Sequence, residues 1–267
     1  MITVELQIFT DVVRSHQFVH KFVCTFHIAP LGSDRLTEFK NIITEQFGFV
    51  KSLRRTEDKS VIMMRHKILG TEIVIREFSG ESEVYKVLQS LSHPNLPKVY
   101  SVEQTEKGCR VVEEYINGIT VAEVLTSGLY TVKGAKEVAK GVCNALHTLH
   151  SLNIIHRDIK PENVMIDTYG TVKLIDFDAS RIYKSYRSHD TSFIGTAGFA
   201  APEQYGISQT DPRSDIFSLG ILINVMLTGE HPSKKLYKGR LTGVIEKCIN
   251  IDPNKRYANV NELYDKL

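Results

Sequence analysis

Cysteine is scarce: Cys24, Cys109, Cys143 and Cys248 stand far apart and form no C-x-x-C pair. That spacing indicates neither a zinc site nor a disulfide framework, and a reducing cytoplasm is the simplest setting. Charge of one sign is scarce too, since 33 basic side chains against 31 acidic ones leave a net +2. So small an excess gives no broad positive field, and neither nucleic acid nor anionic lipid is expected as a partner. Long apolar runs are missing. The most apolar stretch, residues 216–227, falls well short of the roughly 20 residues that cross a bilayer, so it reads as a buried core helix without membrane insertion. The first residues lack a charged-then-apolar leader pattern, which fits a cytoplasmic protein. Internal repeats and low-complexity tracts are absent as well.

What is present is the composition of an ordinary globular chain. With 267 residues, 42% hydrophobic and 24% charged, there is enough apolar material for a core, and disorder as the main state is excluded. Val61, Met63, Ile73 and Ile75 sit in two alternating runs, 59–67 and 72–78, with Gly70 between them, which predicts an antiparallel hairpin. Val84, Val87, Leu88 and Leu91 predict a short helix over 81–91, ending ahead of Pro94. Strands are expected at 99–104 and 110–115, with weaker strand signals at 164–166 and 172–175. Ala135, Val138, Ala139, Val142, Leu146 and Leu149 recur at three and four residues and predict a helix over 134–152. Further helices are expected at 216–227 and 241–248, so a small strand-rich half precedes a larger helical half. Residues 1–46 show apolar runs without clean periodicity and read as an N-terminal extension.

The densest chemical signal is His156-Arg157-Asp158-Ile159-Lys160-Pro161-Glu162-Asn163, followed by Asp176-Phe177-Asp178. On these motifs the chain resembles the eukaryotic-like (Hanks-type) Ser/Thr protein kinases over about residues 53–256, and in its compactness the bacterial kinase-like proteins. The resemblance implies an α+β, bilobal protein-kinase-like fold, with a small β-rich N-lobe at 47–116 and a larger α-helical C-lobe at 117–267. It also implies transfer of the γ-phosphate of ATP, with Mg²⁺, to a Ser or Thr hydroxyl of a protein substrate. Phosphoryl transfer needs a carboxylate to take the acceptor proton and oxygen ligands for the cation. By resemblance Asp158 is the base, Lys160 meets the transferring phosphate, and Asn163 and Asp176 hold magnesium. Thr196 would contact the catalytic Asp and Lys and favour Ser/Thr acceptors. Val61, Arg76 and the hinge Glu114-Tyr115-Ile116 would face the nucleotide. Supporting matches are Gly195-Thr196, Ala201-Pro202-Glu203, Asp215 and Asp252-Pro253, with Glu203 and Arg256 implied as a buried ion pair.

Several positions depart from the family pattern. The glycines of G-x-G-x-x-G fall on Arg54, Thr56 and Lys59, so a looser nucleotide lid, or one whose cationic side chains replace backbone amides, is expected. The third-strand lysine is Arg76, a planar fork in place of a point charge. Its usual glutamate partner aligns with Val84, leaving Glu81 or Glu83 as alternatives, while Glu113 at the gatekeeper position either engages Arg76 or the helix or faces water. Asp178 replaces the last glycine of D-F-G, where a left-handed backbone is expected. Arg181, Lys184, Arg187 and His189 surround Ser185, Ser188, Thr191 and Ser192, so this segment is either a phosphorylated element pairing with Arg157 or a basic loop. The residues favour a slow kinase. A pseudokinase scaffold is the alternative, and transfer to a small-molecule hydroxyl, as in aminoglycoside and choline kinase-like enzymes, is a weaker third reading.

Overall fold

A computed structural model describes residues 43, 45–105, 108–183, 196–205 and 210–267. Cys24, nearly all of the N-terminal extension, Gly195 and the segment carrying Lys184, Ser185, Arg187, Ser188, His189, Thr191 and Ser192 lie outside the described residues. The chain divides into two compact units: residues up to Ser82 with Val99–Tyr115, and Glu83–Lys98 with Ile116–Leu267.

The first unit is an antiparallel sheet of β1 (Phe47–Arg55), β2 (Lys59–His66), β3 (Glu72–Phe78), β4 (Val99–Thr105) and β5 (Gly108–Glu114), in the order β1-β2-β3-β5-β4. The central strand β3 buries Ile73, Val74, Ile75 and Arg76 in succession, because both of its faces are covered. Phe47, Ile73, Ile75 and Val112 form one core cluster, with Ile43, Ile62, Met64 and Tyr100 packed against it. The expected hairpin is β2–β3, registered by Ile62 opposite Ile75 and Met64 opposite Ile73. Its turn is held by His66, whose Nδ1 accepts the backbone N–H groups of Ile68 and Leu69 at 3.2 and 3.1 Å. The same ring packs edge-on against Phe47, centroids 4.9 Å apart, and burial lowers its pKa. The β1–β2 hairpin carries no glycine at its tip, yet Thr56 N–H donates to Lys59 O at 2.8 Å and Arg55 pairs with Ser60. Without the three glycines the two strands still pair up to the turn, with register irregularities between Phe49 and Lys51 and between Ser52 and Arg54.

The second unit contains α1 (Glu83–Gln89), β6 (Gly118–Thr120), α2 (Val121–Ser127), α3 (Val132–Ser151), β7 (Ile154–Ile155), β8 (Val164–Asp167), β9 (Val172–Leu174), β10 (Arg181–Ile182), α4 (Pro212–Thr228), α5 (Thr242–Cys248) and α6 (Val260–Tyr264). The apolar stripe of α3 is buried as its spacing predicts, and Thr131 caps its start by accepting the Gly134 N–H. Helix α2, which the apolar pattern does not announce, begins in a capping box of Thr120 with Glu123. Helix α4 is buried almost all round. It starts four residues before the apolar run, because Asp211 caps it and Pro212 occupies its first turn, and it stops at Gly229 in the left-handed conformation. At Gly220 a Cβ would lie 2.4 Å from the Cys248 Cβ, so only glycine lets α5 approach α4 this closely. Cys109, Cys143 and Cys248 are buried thiols, and burial pushes Cys143 up to about 12. Among the described residues, no helix is long and apolar enough to cross a membrane.

Candidate active site

The site is built from the floor of α4 upward. Asp215 in its first turn is fully buried, and its carboxylate accepts the backbone N–H groups of His156 and Arg157 at 2.9 and 2.8 Å. His150 Nε2 lies 2.8 Å from the same carboxylate. Burial pushes the Asp215 carboxyl upward, but the hydrogen bond and charge of His150, with His156 and the Arg157 N–H, outweigh it and hold the pKa below the ordinary value. This anchor, with Gln204 Nε2 donating to Arg157 O at 2.9 Å, holds Arg157 at φ +70°. A left-handed non-glycine residue is costly, and it persists where surrounding contacts over-determine it.

That bend presents the next side chains together. Asp158 Oδ1 accepts from Thr196 Oγ1 at 2.6 Å; Asp158 Oδ2 meets Lys160 Nζ at 2.8 Å and accepts from Asn163 Nδ2 at 2.9 Å. Lys160 Nζ also donates to Thr196 Oγ1 at 2.6 Å, closing a ring of carboxylate, ammonium and hydroxyl. Pro161–Asn163 forms a single 3-10 turn that returns Asn163 toward Asp158, where its amide also donates to Asp158 O at 2.8 Å. Asp158 and Lys160 keep side-chain exposures of 13% and 12%.

The second motif is joined to the first through the backbone, Ile175 N–H to Asn163 O at 2.9 Å. Asp176 is buried and sits at φ +70°. Phe177 is buried edge-on against His156 and Tyr85, at centroid distances of 5.1 and 6.0 Å. Among the described non-glycine residues only Asn153, Arg157 and Asp176 have positive φ, which corrects the expectation at Asp178. The left-handed residue is two positions earlier, so position 178 does not need glycine. Asp178 Oδ1 instead accepts from the Tyr85 hydroxyl at 2.6 Å, and the same oxygen of Tyr85 accepts the Phe177 N–H at 3.2 Å. Sequence reading missed Tyr85, whose only signal is a tyrosine inside a short apolar helix.

The other expected site residues fall as follows. Val61 on β2, Arg76 on β3, Glu114 at the end of β5 and Tyr115 belong to the first unit, and Ile116 opens the second. Val61 and Ile116 are buried. Arg76 pairs with Glu113 at 3.0 Å, both buried, so the carboxylate at that position does not face water. Val84, aligned with the usual glutamate, is a buried apolar residue of α1. Glu203 and Arg256 close the implied ion pair at 2.7 and 2.9 Å, and Ser214 Oγ donates to the same glutamate.

No cluster of three or more His, Cys, Asp or Glu able to hold a metal exists among the described residues. The donors near Asp158 nevertheless suit a hard cation shared with a ligand. Both amide hydrogen bonds of Asn163 run from Nδ2 to Asp158, which leaves Oδ1 as an acceptor, and Asp176 adds a carboxylate. One or two carboxylates completed by substrate phosphates is the usual manner of holding Mg²⁺.

A carboxylate braced by an ammonium, an amide and a hydroxyl, with a second carboxylate at Asp176, is the donor set of a phosphotransferase of the kinase class. Residues 40–265 match the protein kinase domain family, and the chain belongs to it. PknB of Mycobacterium tuberculosis, a serine/threonine-protein kinase, is 34% identical over 190 residues, covering 68% of this chain and 30% of that protein. PknB of Mycobacterium leprae is 36% identical over 189 residues, 68% of this chain and 30% of the relative. PrkC of Bacillus subtilis, also a serine/threonine-protein kinase, is 33% identical over 175 residues, 65% of this chain and 26% of the relative. The matched region thus spans about a third or less of these relatives.

Proposed function

We propose that the chain is a slow, Mg-ATP-dependent protein serine/threonine kinase, with residues 47–116 as N-lobe, 117–267 as C-lobe and 1–46 as an extension. The observation that carries this reading is the ring of Asp158, Lys160 and Thr196 with Asn163 beside it. Bound Mg-ATP would supply the γ-phosphoryl group and the cation that neutralises its charge. Asn163 Oδ1 and the Asp176 carboxylate are the proposed cation ligands. Asp158 Oδ1, now bonded to the Thr196 hydroxyl, takes the proton of an incoming Ser or Thr hydroxyl and orients its oxygen for attack. Lys160 holds the Asp158 carboxylate in place and carries positive charge to the phosphate side of the ring. Val61 and the Glu114-Tyr115-Ile116 hinge are proposed nucleotide contacts. Three buried thiols support a reducing, cytoplasmic setting.

Slowness follows from Arg76. Its charge is already engaged by Glu113, so a phosphate would compete with a buried carboxylate for it. Losing a preorganised charge contact costs about 10² to 10³-fold in rate, against a usual kinase turnover of about 1 to 100 s⁻¹. The same ion pair is what favours the second reading, a pseudokinase that acts as a scaffold. A radiolabelled ATP assay on wild type beside Asp158→Asn separates the two: phosphorylation lost in the variant supports the enzyme, and equal labelling in both removes it.

A further inference from the structure

Residues 231–245 hold Lys234, Lys235, Lys238 and Arg240 and not one Asp or Glu, in a chain whose net charge is only +2. All four cations are exposed. Among the described residues the one ion pair they make is Lys234 with Glu230, 3.9 Å apart and mostly solvated. The four cations lie between α4 and α5, where the chain forms neither helix nor strand.

Its backbone is nevertheless tied down. Asn224, fully buried in the apolar helix α4, donates from Nδ2 to Glu230 O and Lys235 O at 2.8 and 2.9 Å, and its Oδ1 accepts the Tyr237 N–H at 2.8 Å. Thr242 Oγ1 accepts the Gly239 N–H at 2.8 Å and lies 3.0 Å from Tyr237 O. A polar side chain inside a core helix is kept where its bonds are all made, and here they fix the path of a charged loop. The cationic side chains therefore project from a preformed surface, which lowers the ordering cost of binding.

The loop also touches the segment that carries Thr196. His231 Nε2 lies 2.9 Å from Gly198 O, while its Nδ1 accepts the Ser233 N–H at 3.2 Å, a pattern that suits the neutral ring with the proton on Nε2. Gly198 is two residues beyond Thr196, whose hydroxyl touches Asp158 and whose carbonyl accepts the N–H groups of Phe199 and Ala200 at 3.0 Å.

We infer that the surface of Lys234, Lys235, Lys238 and Arg240 docks acidic segments flanking the acceptor Ser or Thr of a protein substrate. This rests on the kinase reading for the word substrate, and on charge complementarity and the His231 tie for the docking itself. Anionic lipid or nucleic acid would meet the same charge, but neither accounts for its attachment to the segment that carries Thr196.

The test uses the full chain and two labelled peptides, one with Glu flanking a central Ser and one with Gln in those places. Without nucleotide, the acidic peptide binds about tenfold more tightly at low salt, and a variant carrying Lys234→Gln, Lys235→Gln, Lys238→Gln and Arg240→Gln loses that preference. The pair Lys234→Glu and Lys238→Glu, a smaller change that also brings the charge of these four positions to zero, loses it as well. Equal binding of the two peptides, a preference that survives these substitutions, or tighter charge-dependent binding of single-stranded RNA or phosphatidylserine vesicles overturns the inference. With Mg-ATP, kcat/KM favours the acidic peptide in wild type, and the ratio falls toward one in the variants. Phosphorylation of both peptides without preference sinks the docking surface and leaves the kinase reading standing. Charge-dependent binding with no phosphorylation of either peptide does the reverse.

Discussion

Arg76 and Glu113 meet diagonally across two strands, Nε and Nη2 of the arginine lying 3.1 and 3.0 Å from one carboxylate oxygen, with side-chain exposures of 6% and 5%. The register explains the meeting: Arg76 stands opposite Val111 and Val74 opposite Glu113, so the two charged side chains lie on one face of the sheet at neighbouring positions. Neither residue type is usual at its position in the resembling family. Together they neutralise each other, and a change at one is intelligible only through the other.

A buried pair of this kind predicts an asymmetric mutational outcome. Arg76→Met takes the guanidinium away from the buried Glu113 carboxylate and is expected to destabilise by roughly 3 to 5 kcal/mol. The double variant Arg76→Met with Glu113→Leu replaces both charges by apolar groups and should recover most of that loss. Urea unfolding of the wild type, both single variants and the double variant measures the coupling. Additive losses would show that the pair is not a unit.

Much of this was legible in the sequence where spacing and chemistry coincide. The stripe of α3, the β2–β3 hairpin and the string from His156 to Asn163 announce themselves because apolar period or motif spacing is local information. Helix α2 was not legible, since its start is fixed by a Thr120–Glu123 capping box and only Val121 is buried in it. Nor was the left-handed residue at Asp176 rather than Asp178, because backbone angle is set by the surrounding contacts and not by the residue's own preference. Tyr85 and Asn224 escaped for a related reason: each is a polar group among apolar neighbours whose partners lie far along the chain, at Asp178 and Tyr237.

The hydroxyl of Tyr85 ties helix α1 to the Asp176-Phe177-Asp178 segment, and its removal separates positioning from packing. Tyr85→Phe keeps the ring against Phe177 but deletes the bonds to Asp178 Oδ1 and from the Phe177 N–H. Stability should fall by about 1 to 3 kcal/mol, because the buried Phe177 N–H loses its acceptor. Phosphoryl transfer should fall further, toward the roughly 10²-fold that a misplacement near the reacting groups costs, with the loss in kcat more than in the KM for peptide. A loss confined to the melting temperature would mean that the hydroxyl serves stability alone.

His66 gives the first unit an acid-sensitive turn. Burial lowers its folded-state pKa below the ordinary 6.5, so the folded state binds fewer protons than the unfolded one. The stabilisation is fully present above that ordinary value and is lost as pH falls below it, toward the folded pKa. Protonation also removes the Nδ1 acceptor from the Ile68 and Leu69 N–H groups. Urea unfolding between about pH 8 and pH 5 should show stability declining on the acid side, and His66→Asn, which offers an oxygen acceptor that does not titrate there, should flatten the slope. A slope unchanged in the variant would assign it to other groups.

Asp215 should behave in the opposite manner to Asp158, although both serve one site. Its carboxylate is fully buried and accepts from two backbone N–H groups while His150 Nε2 lies 2.8 Å away, and these bonds hold Arg157 in the left-handed conformation. In Asp215→Asn one acceptor oxygen becomes an amide that points hydrogens at a donor, and an unsatisfied buried donor costs about 1 to 3 kcal/mol. Its depressed pKa means that the stabilisation is in place at neutral pH and disappears as pH falls through the folded value, which the variant should no longer show. Activity and melting temperature should therefore drop together in Asp215→Asn, whereas Asp158→Asn should lose activity with the melting temperature nearly unchanged. Scanning calorimetry beside the ATP assay distinguishes the two, and equal thermal losses in both variants would show that Asp158 is held for packing as much as for chemistry.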